Sequence, residues 1–159
     1  MTGDRREGTV VADDERADAY TITFSEEPSA DDSRAVREGL DAYNVRHVGP
    51  TNWEPLALFV RDAAGRTIGG LTGGTYWGWL YVETLWLDES LQGQGVGTEL
   101  LERAERAALE RGCRHSMLDT MSFQALGFYE KQGYSVYGTI DDMPAGSGQE
   151  RYFLRKRLQ

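Results

Sequence analysis

The stretch Gln92-Gly93-Gln94-Gly95-Val96-Gly97, running straight into Thr98-Glu99-Leu100-Leu101, carries the fold assignment. A strand-like run, Leu80-Tyr81-Val82-Glu83-Thr84-Leu85-Trp86-Leu87, precedes it, and a helical run from Leu100 to Arg111 follows. Glycines at alternate positions let the backbone come close to a ligand. The helix behind them opens with unbonded N–H groups and the positive end of its dipole facing the turn. Strand, glycine turn and helix start together form an anion site suited to a pyrophosphate. A P-loop needs Lys and Ser/Thr after its last glycine, where this chain has Thr98-Glu99, and a dinucleotide fingerprint needs G-x-G-x-x-G, where the spacing is G-x-G-x-G. Neither pattern fits, and a plain β–α turn is the unadorned alternative.

Gln92-x-x-Gly95-x-Gly97 resembles the Q/R-x-x-G-x-G/A turn with which the GNAT acyltransferase superfamily holds acetyl-CoA. Downstream, Ser122-Phe123-Gln124-Ala125-Leu126-Gly127-Phe128-Tyr129-Glu130-Lys131-Gln132-Gly133-Tyr134 is similar to that family's second signature, N-x-x-A-x-x-F-Y-x-x-x-G-F/Y. The resemblance spans Tyr20 to Leu158 and is specific from Leu80 to Tyr137. It implies an α/β (α+β) fold: a twisted mixed β-sheet with splayed central strands and helices on both faces. It also implies an acetyl-CoA-dependent N-acetyltransferase in which a bound primary amine of a small molecule or peptide attacks the thioester directly. A domain of this fold that binds acyl-CoA without turnover, as a sensor, is the alternative within the family. An unrelated nucleotide-phosphate binder is the alternative outside it.

The resemblance assigns coenzyme contacts to the backbone of Leu85, Trp86 and Leu87, to the turn Gln92, Gly93, Gln94, Gly95, Val96, Gly97 and Thr98, and to Ser122 and Tyr129. Tyr129 matches the tyrosine that protonates the departing thiolate; a phenol with an ordinary pKa of about 10 keeps its proton at neutral pH. Two positions depart from the family pattern. Gln92 stands where arginine is common, so the turn lacks one positive charge, and Ser122 stands where asparagine is frequent, which shortens its reach.

Glu83 is read from the residues themselves. It is a carboxylate in an otherwise apolar strand, two residues before the expected bulge at Leu85–Leu87. Burial there would raise its pKa and suit it as general base. Pairing with an arginine, or opening to solvent at the sheet face, is the plainer reading. Tyr43, Asn44 and Trp79, with Trp53 and Trp77, are candidates for an aromatic acceptor pocket suited to an ammonium, with Asp141 or Asp142 adding charge. His47 and His115 have no second ligand at metal spacing, so no metal is expected.

The formal net charge of −9 and a pI near 4.7 argue against nucleic acid or an anionic membrane as partner. Cys113 is the single cysteine, so no disulfide forms within the chain. With no signal-like apolar run, the expectation is a cytoplasmic protein. A homodimer through the last strands is what the family implies.

Along the chain, an acidic, mobile tail is expected over residues 1–18 and a single domain over residues 19–159. Alternation in Tyr20–Phe24 predicts a first strand, and the apolar spacing from Ala35 to Tyr43 predicts a helix. An irregular loop is expected from Asn44 to Trp53. The predicted order is β-α-β-β-β-α-β-α-β-β, with the second helix capped at Gly112 and the third starting at Phe123.

Overall fold

The structure, a computed structural model, describes residues 20–159. The acidic stretch 1–18 lies outside the described residues. The chain divides into two units between Gly49 and Pro50.

In the first unit, helix α1 covers Ala30–Val48. Ser29 caps it, its hydroxyl oxygen accepting the Asp32 N–H at 2.9 Å. The helix runs through Asn44–Val48, where a loop was expected. No glycine or proline interrupts that segment, and Arg46 and His47 complement the C-terminal dipole. The stop is Gly49, at φ 81°, whose N–H returns to the Val45 carbonyl at 3.1 Å, with Pro50 behind it. Residues 20–24 form no strand. Alternation alone is not enough, because an extended segment needs a neighbouring edge to bond its backbone groups.

The second unit is a six-stranded mixed sheet built from β1 (Glu54–Arg61), β2 (Thr67–Tyr76), β3 (Trp79–Leu87), β4 (His115–Met121), β5 (Ser135–Ile140) and β6 (Arg151–Arg157), in the order β1-β2-β3-β4-β6-β5. This is the expected mixed α/β architecture. Helix α2 (Val96–Glu110) lies between β3 and β4 in sequence, and α3 (Leu126–Lys131) between β4 and β5. The apolar stripe Leu100, Leu101, Ala104 and Ala108 of α2 is buried with Leu71, Leu80, Val82, Leu118 and Leu154 of the sheet. Helix α3 begins at Leu126 rather than Phe123; residues 122–125 form a turn in which the Gln124 side chain accepts the Met121 N–H at 2.8 Å.

The centre of the sheet is where its regularity fails. Strands β3 and β4 pair in parallel only through Trp79–His115, Leu80–Ser116 and Tyr81–Met117. Beyond that point β4 stays bonded to β6 as far as Met121, while β3 stays bonded to β2 as far as Leu87. The two strands therefore part and leave a V-shaped gap. Among the described residues, no helix is long and apolar enough to cross a membrane.

Candidate active site

The ladder between β2 and β3 slips once. Thr72 opposes Thr84, but Gly73 opposes Val82, so Glu83 is an extra residue on β3. The bulge is thus at Glu83 itself, not after it. One inserted residue reverses side-chain parity. Leu80 and Val82 face the core before it, and Leu85 and Leu87 pack against the core after it, while Trp86 is exposed. Glu83 is exposed as well, so the expected buried carboxylate is not what the strand presents.

Backbone polarity follows the same geometry. Opposed pairs in an antiparallel ladder alternate between bonded and unbonded. The Asp88 N–H donates to the Ile68 carbonyl at 2.9 Å. By alternation Trp86 and Thr84 bond to β2, and the N–H and C=O groups of Leu85 and Leu87 turn the other way, toward the gap.

A cleft of about 960 Å³ occupies that gap. One wall is Val82–Leu87 of β3, Glu83 included. One end is the glycine turn, with Gln92, Gly93, Gly95, Val96, Gly97 and Thr98. The opposite wall is Asp119, Thr120 and Met121 of β4 with Gln124, Ala125, Phe128 and Tyr129, and Arg151 of β6 completes it.

The turn is shaped to present donors. Gly95 sits in the left-handed region (φ 81°) as N-cap of α2 and supplies no side-chain cap. The first bond of the helix runs from the Glu99 N–H to the Gly95 carbonyl at 3.0 Å. The N–H groups of Val96, Gly97 and Thr98 thus have no acceptor within the helix, and they stand at the end of the cleft with the positive dipole end behind them. Upstream, Asp88 pins the exit from β3, accepting from Ser90 N at 3.0 Å and from Ser90 Oγ at 2.6 Å; those bonds hold its carboxyl below the usual range.

Tyr129 is buried, and its ring packs edge-on against Phe128 with centroids 5.0 Å apart. Among the described residues no buried side-chain polar atom lacks a partner, and the Tyr129 hydroxyl has none, so it opens to the cleft. Burial, and then the Asp119 charge, push its pKa above the ordinary value, keeping the proton on the phenol. Asp119 itself is held by Arg151, whose Nε and Nη2 lie 2.8 and 2.7 Å from Oδ2.

Several expected residues stand elsewhere. Gln94 is not in the cleft wall; its side chain donates to the Ser90 carbonyl. Ser122 is not in the wall either. Its hydroxyl bonds the Gln149 side chain and accepts the Glu150 N–H at 3.1 Å. Trp79 stacks on His115, centroids 4.6 Å apart, where β3 and β4 are still paired, so it is outside the cleft. Trp53 lies over Gly74, and Asp142 accepts the N–H groups of Gly146 and Gly148 within its own loop. Tyr43 and Asn44 are on α1, in the first unit. Met121, Gln124 and Arg151 are among the wall residues that escaped the sequence reading. Arg151 enters through the pairing of β6 with β4, which opposes it to Met121. No local pattern signals that register.

The profile of the acetyltransferase (GNAT) family matches residues 16–134. An acetyltransferase of Agrobacterium fabrum is 38% identical over 137 residues, covering 86% of this chain and 98% of that protein. The blasticidin-S acetyltransferase of Streptomyces morookaense is 43% identical over 94 residues, 58% of this chain and 69% of its own length. The crystal structure of an acetyltransferase from Bacillus cereus superposes with a TM-score of 0.77 at 34% identity, over 86% of this chain and 98% of that one.

Proposed function

The chain belongs to the GNAT acetyltransferase family, and from that premise we propose that it is an N-acetyltransferase that moves the acetyl group of acetyl-CoA to a primary amine by direct attack. Acetyl-CoA supplies the acetyl group as an activated thioester. The N–H groups of Val96, Gly97 and Thr98 receive the diphosphate; with Gln92 in place of a cation, these amides carry that contact. The outward N–H and C=O groups of Leu85 and Leu87 offer an edge on which amide groups of the pantetheine arm can pair as an added strand would. An N–H from the same edge stabilises the negative charge that develops on the carbonyl oxygen, a contribution of about 2.7–4 kcal/mol for a well-placed donor.

Tyr129 holds a proton at Oη for the departing sulfur, and burial keeps it there. Glu83, exposed at the bulge, takes the proton of the acceptor ammonium directly or through water. The observation that supports this reading is that a phenol with no hydrogen-bond partner among the described residues lines the same cleft as two sets of main-chain amides, those of Leu85 and Leu87 and those of Val96–Thr98.

The acceptor is a small-molecule amine in this proposal, consistent with the relative named for blasticidin S. Release of free thiol from acetyl-CoA, followed over a panel of amines that begins with blasticidin S, tests it. Amine-dependent thiol release with a matching acetylated product is the expected result. Release that no amine accelerates, with acetyl-CoA bound, would favour the sensor reading instead.

A further inference from the structure

Strand β2 carries Gly69, Gly70, Gly73 and Gly74, and these meet different neighbours. A Cβ at Gly69 would press on the Leu87 side chain at 2.7 Å, and one at Gly74 on the Trp53 ring at 2.5 Å. At Gly70 it would meet the Leu58 carbonyl of β1 at 2.6 Å. At Gly73 it would lie 2.0 Å from the Tyr81 carbonyl oxygen, 3.1 Å from the carbon of that carbonyl and 3.2 Å from the Glu83 nitrogen. Every one of these Gly73 contacts is backbone of β3, so no rotamer change relieves them. A Cβ at Gly69 would also come within 3.1 Å of the Trp86 carbonyl oxygen, but among these glycines Gly73 alone would bring β3 main chain inside 3.0 Å, and that contact falls at the register slip between Thr72 and Gly73.

Building on the acetyl-CoA reading, we propose that Gly73 is a positioning residue for catalysis: its missing side chain lets the β3 backbone cross over it and seats the bulge at Glu83. That seat has two consequences. It reverses parity, so that Leu85 and Leu87 fill the core. It also turns the amides of those same two residues, rather than those of Thr84 and Trp86, toward the gap. An unbulged ladder would keep the even-numbered parity of Leu80 and Val82 and send Thr84 and Trp86 inward. Gly73 touches no ligand in this scheme and acts through the strand opposite.

The test uses three variants of the full chain: Gly73→Ala, Gly70→Ala, and Gly73→Ala combined with deletion of Glu83. Melting temperature, acetyl-CoA affinity by calorimetry and steady-state kinetics are read for each. Gly73→Ala should melt lower and lose coenzyme affinity by about tenfold or more, the equivalent of one or more main-chain hydrogen bonds, together with kcat. Gly70→Ala strains the β1 side; it should melt lower yet keep its coenzyme affinity within about twofold of wild type while folded. Deleting Glu83 removes the extra residue, so the combined variant should regain melting temperature and still fail to bind coenzyme. Should Gly73→Ala not fold, that recovery is the deciding readout. Wild-type affinity in Gly73→Ala, or recovery of both stability and affinity in the combined variant, would overturn the proposal. If the wild type itself does not bind acetyl-CoA, the functional reading fails, and the recovery of melting temperature then decides the seating role alone.

Discussion

The rings of Tyr129 and Tyr134 lie with centroids 6.0 Å apart, and both side chains are buried, yet their hydroxyls meet opposite surroundings. Tyr134 belongs to the closed part of the sheet. Its hydroxyl donates to Glu105 of α2 at 2.9 Å and lies 2.8 Å from the hydroxyl oxygen of Ser116 on β4. The same carboxylate takes Lys156 of β6 at 2.6 Å. Tyr129 faces the open part, where its hydroxyl, the amides of Leu85 and Leu87 and the first N–H groups of α2 have no partners among the described residues. Polar groups at one end of the β3–β4 pair thus lock elements together. At the other end equally polar groups are held in place by the scaffold and kept available. Within a few ångströms the fold separates polar groups that tie its elements together from polar groups that it leaves available.

The largest effect should come from the open side. Tyr129→Phe is expected to lower kcat by about 10²–10⁴-fold, the range for a positioned acid. Because the hydroxyl has no partner among the described residues, thermal stability and coenzyme affinity should change little. Steady-state kinetics beside a melting curve check this, and a kcat equal to wild type would remove the acid role. On the closed side the pattern should invert. Glu105→Ala leaves Lys156 and Tyr134 without their acceptor, a loss on the order of 3 kcal/mol. Urea denaturation measures the loss, while kcat at low temperature should hold; an unchanged midpoint would show the cluster to be ornamental.

A smaller, pH-dependent difference follows from the phenols. Burial, foremost, raises the pKa of both tyrosines; Asp119 adds to it at Tyr129 and Glu105 at Tyr134. A raised folded-state pKa means that the unfolded chain loses its proton first. The stabilisation is therefore complete below the unfolded value of about 10 and declines as pH rises above it, by up to about 1.4 kcal/mol per pH unit for each such group. Denaturant unfolding between pH 9 and 11 should show that fall, and Tyr134→Phe should flatten it. Parallel slopes in both proteins would contradict the assignment. The smallest effect is expected for Ser122→Ala. Among the described residues its hydroxyl bonds only the segment Gln149–Glu150, so stability should drop by about 1 kcal/mol or less. Coenzyme titrations should then be indistinguishable from wild type; a marked loss of affinity would return Ser122 to the coenzyme site.

What could be read in the sequence was whatever a local pattern encodes. The glycine turn, the apolar strand ahead of it and the stripe on α2 each announce their structure over a few residues, and the family signatures tie them together. The end of α1 is legible too, in Gly49-Pro50, and the composition of Asn44–Val48, which suggests a loop, hides that the helix runs on to it. What escaped depends on pairing between distant segments. Whether Glu83 is buried turns on where the bulge falls, and that is set by the approach of β3 to Gly73 rather than by residues adjoining Glu83. Arg151 reaches Asp119 only because β6 pairs with β4 across 32 residues of chain. Residues 20–24 alternate as a strand does, but periodicity says nothing of whether an edge will be there to receive them.

The central claim is that main-chain amides of the β3 wall and of the glycine turn, both lining the gap between β3 and β4, receive acetyl-CoA. Amide NMR shifts during a coenzyme titration test it most directly. The account predicts saturable shifts concentrated at Leu85, Leu87, Gly93 and Val96–Thr98, with Trp86 and Thr84 less affected because their amides already bond β2. Saturable binding that leaves those amides unmoved, or no binding of acetyl-CoA where ATP binds, would contradict it.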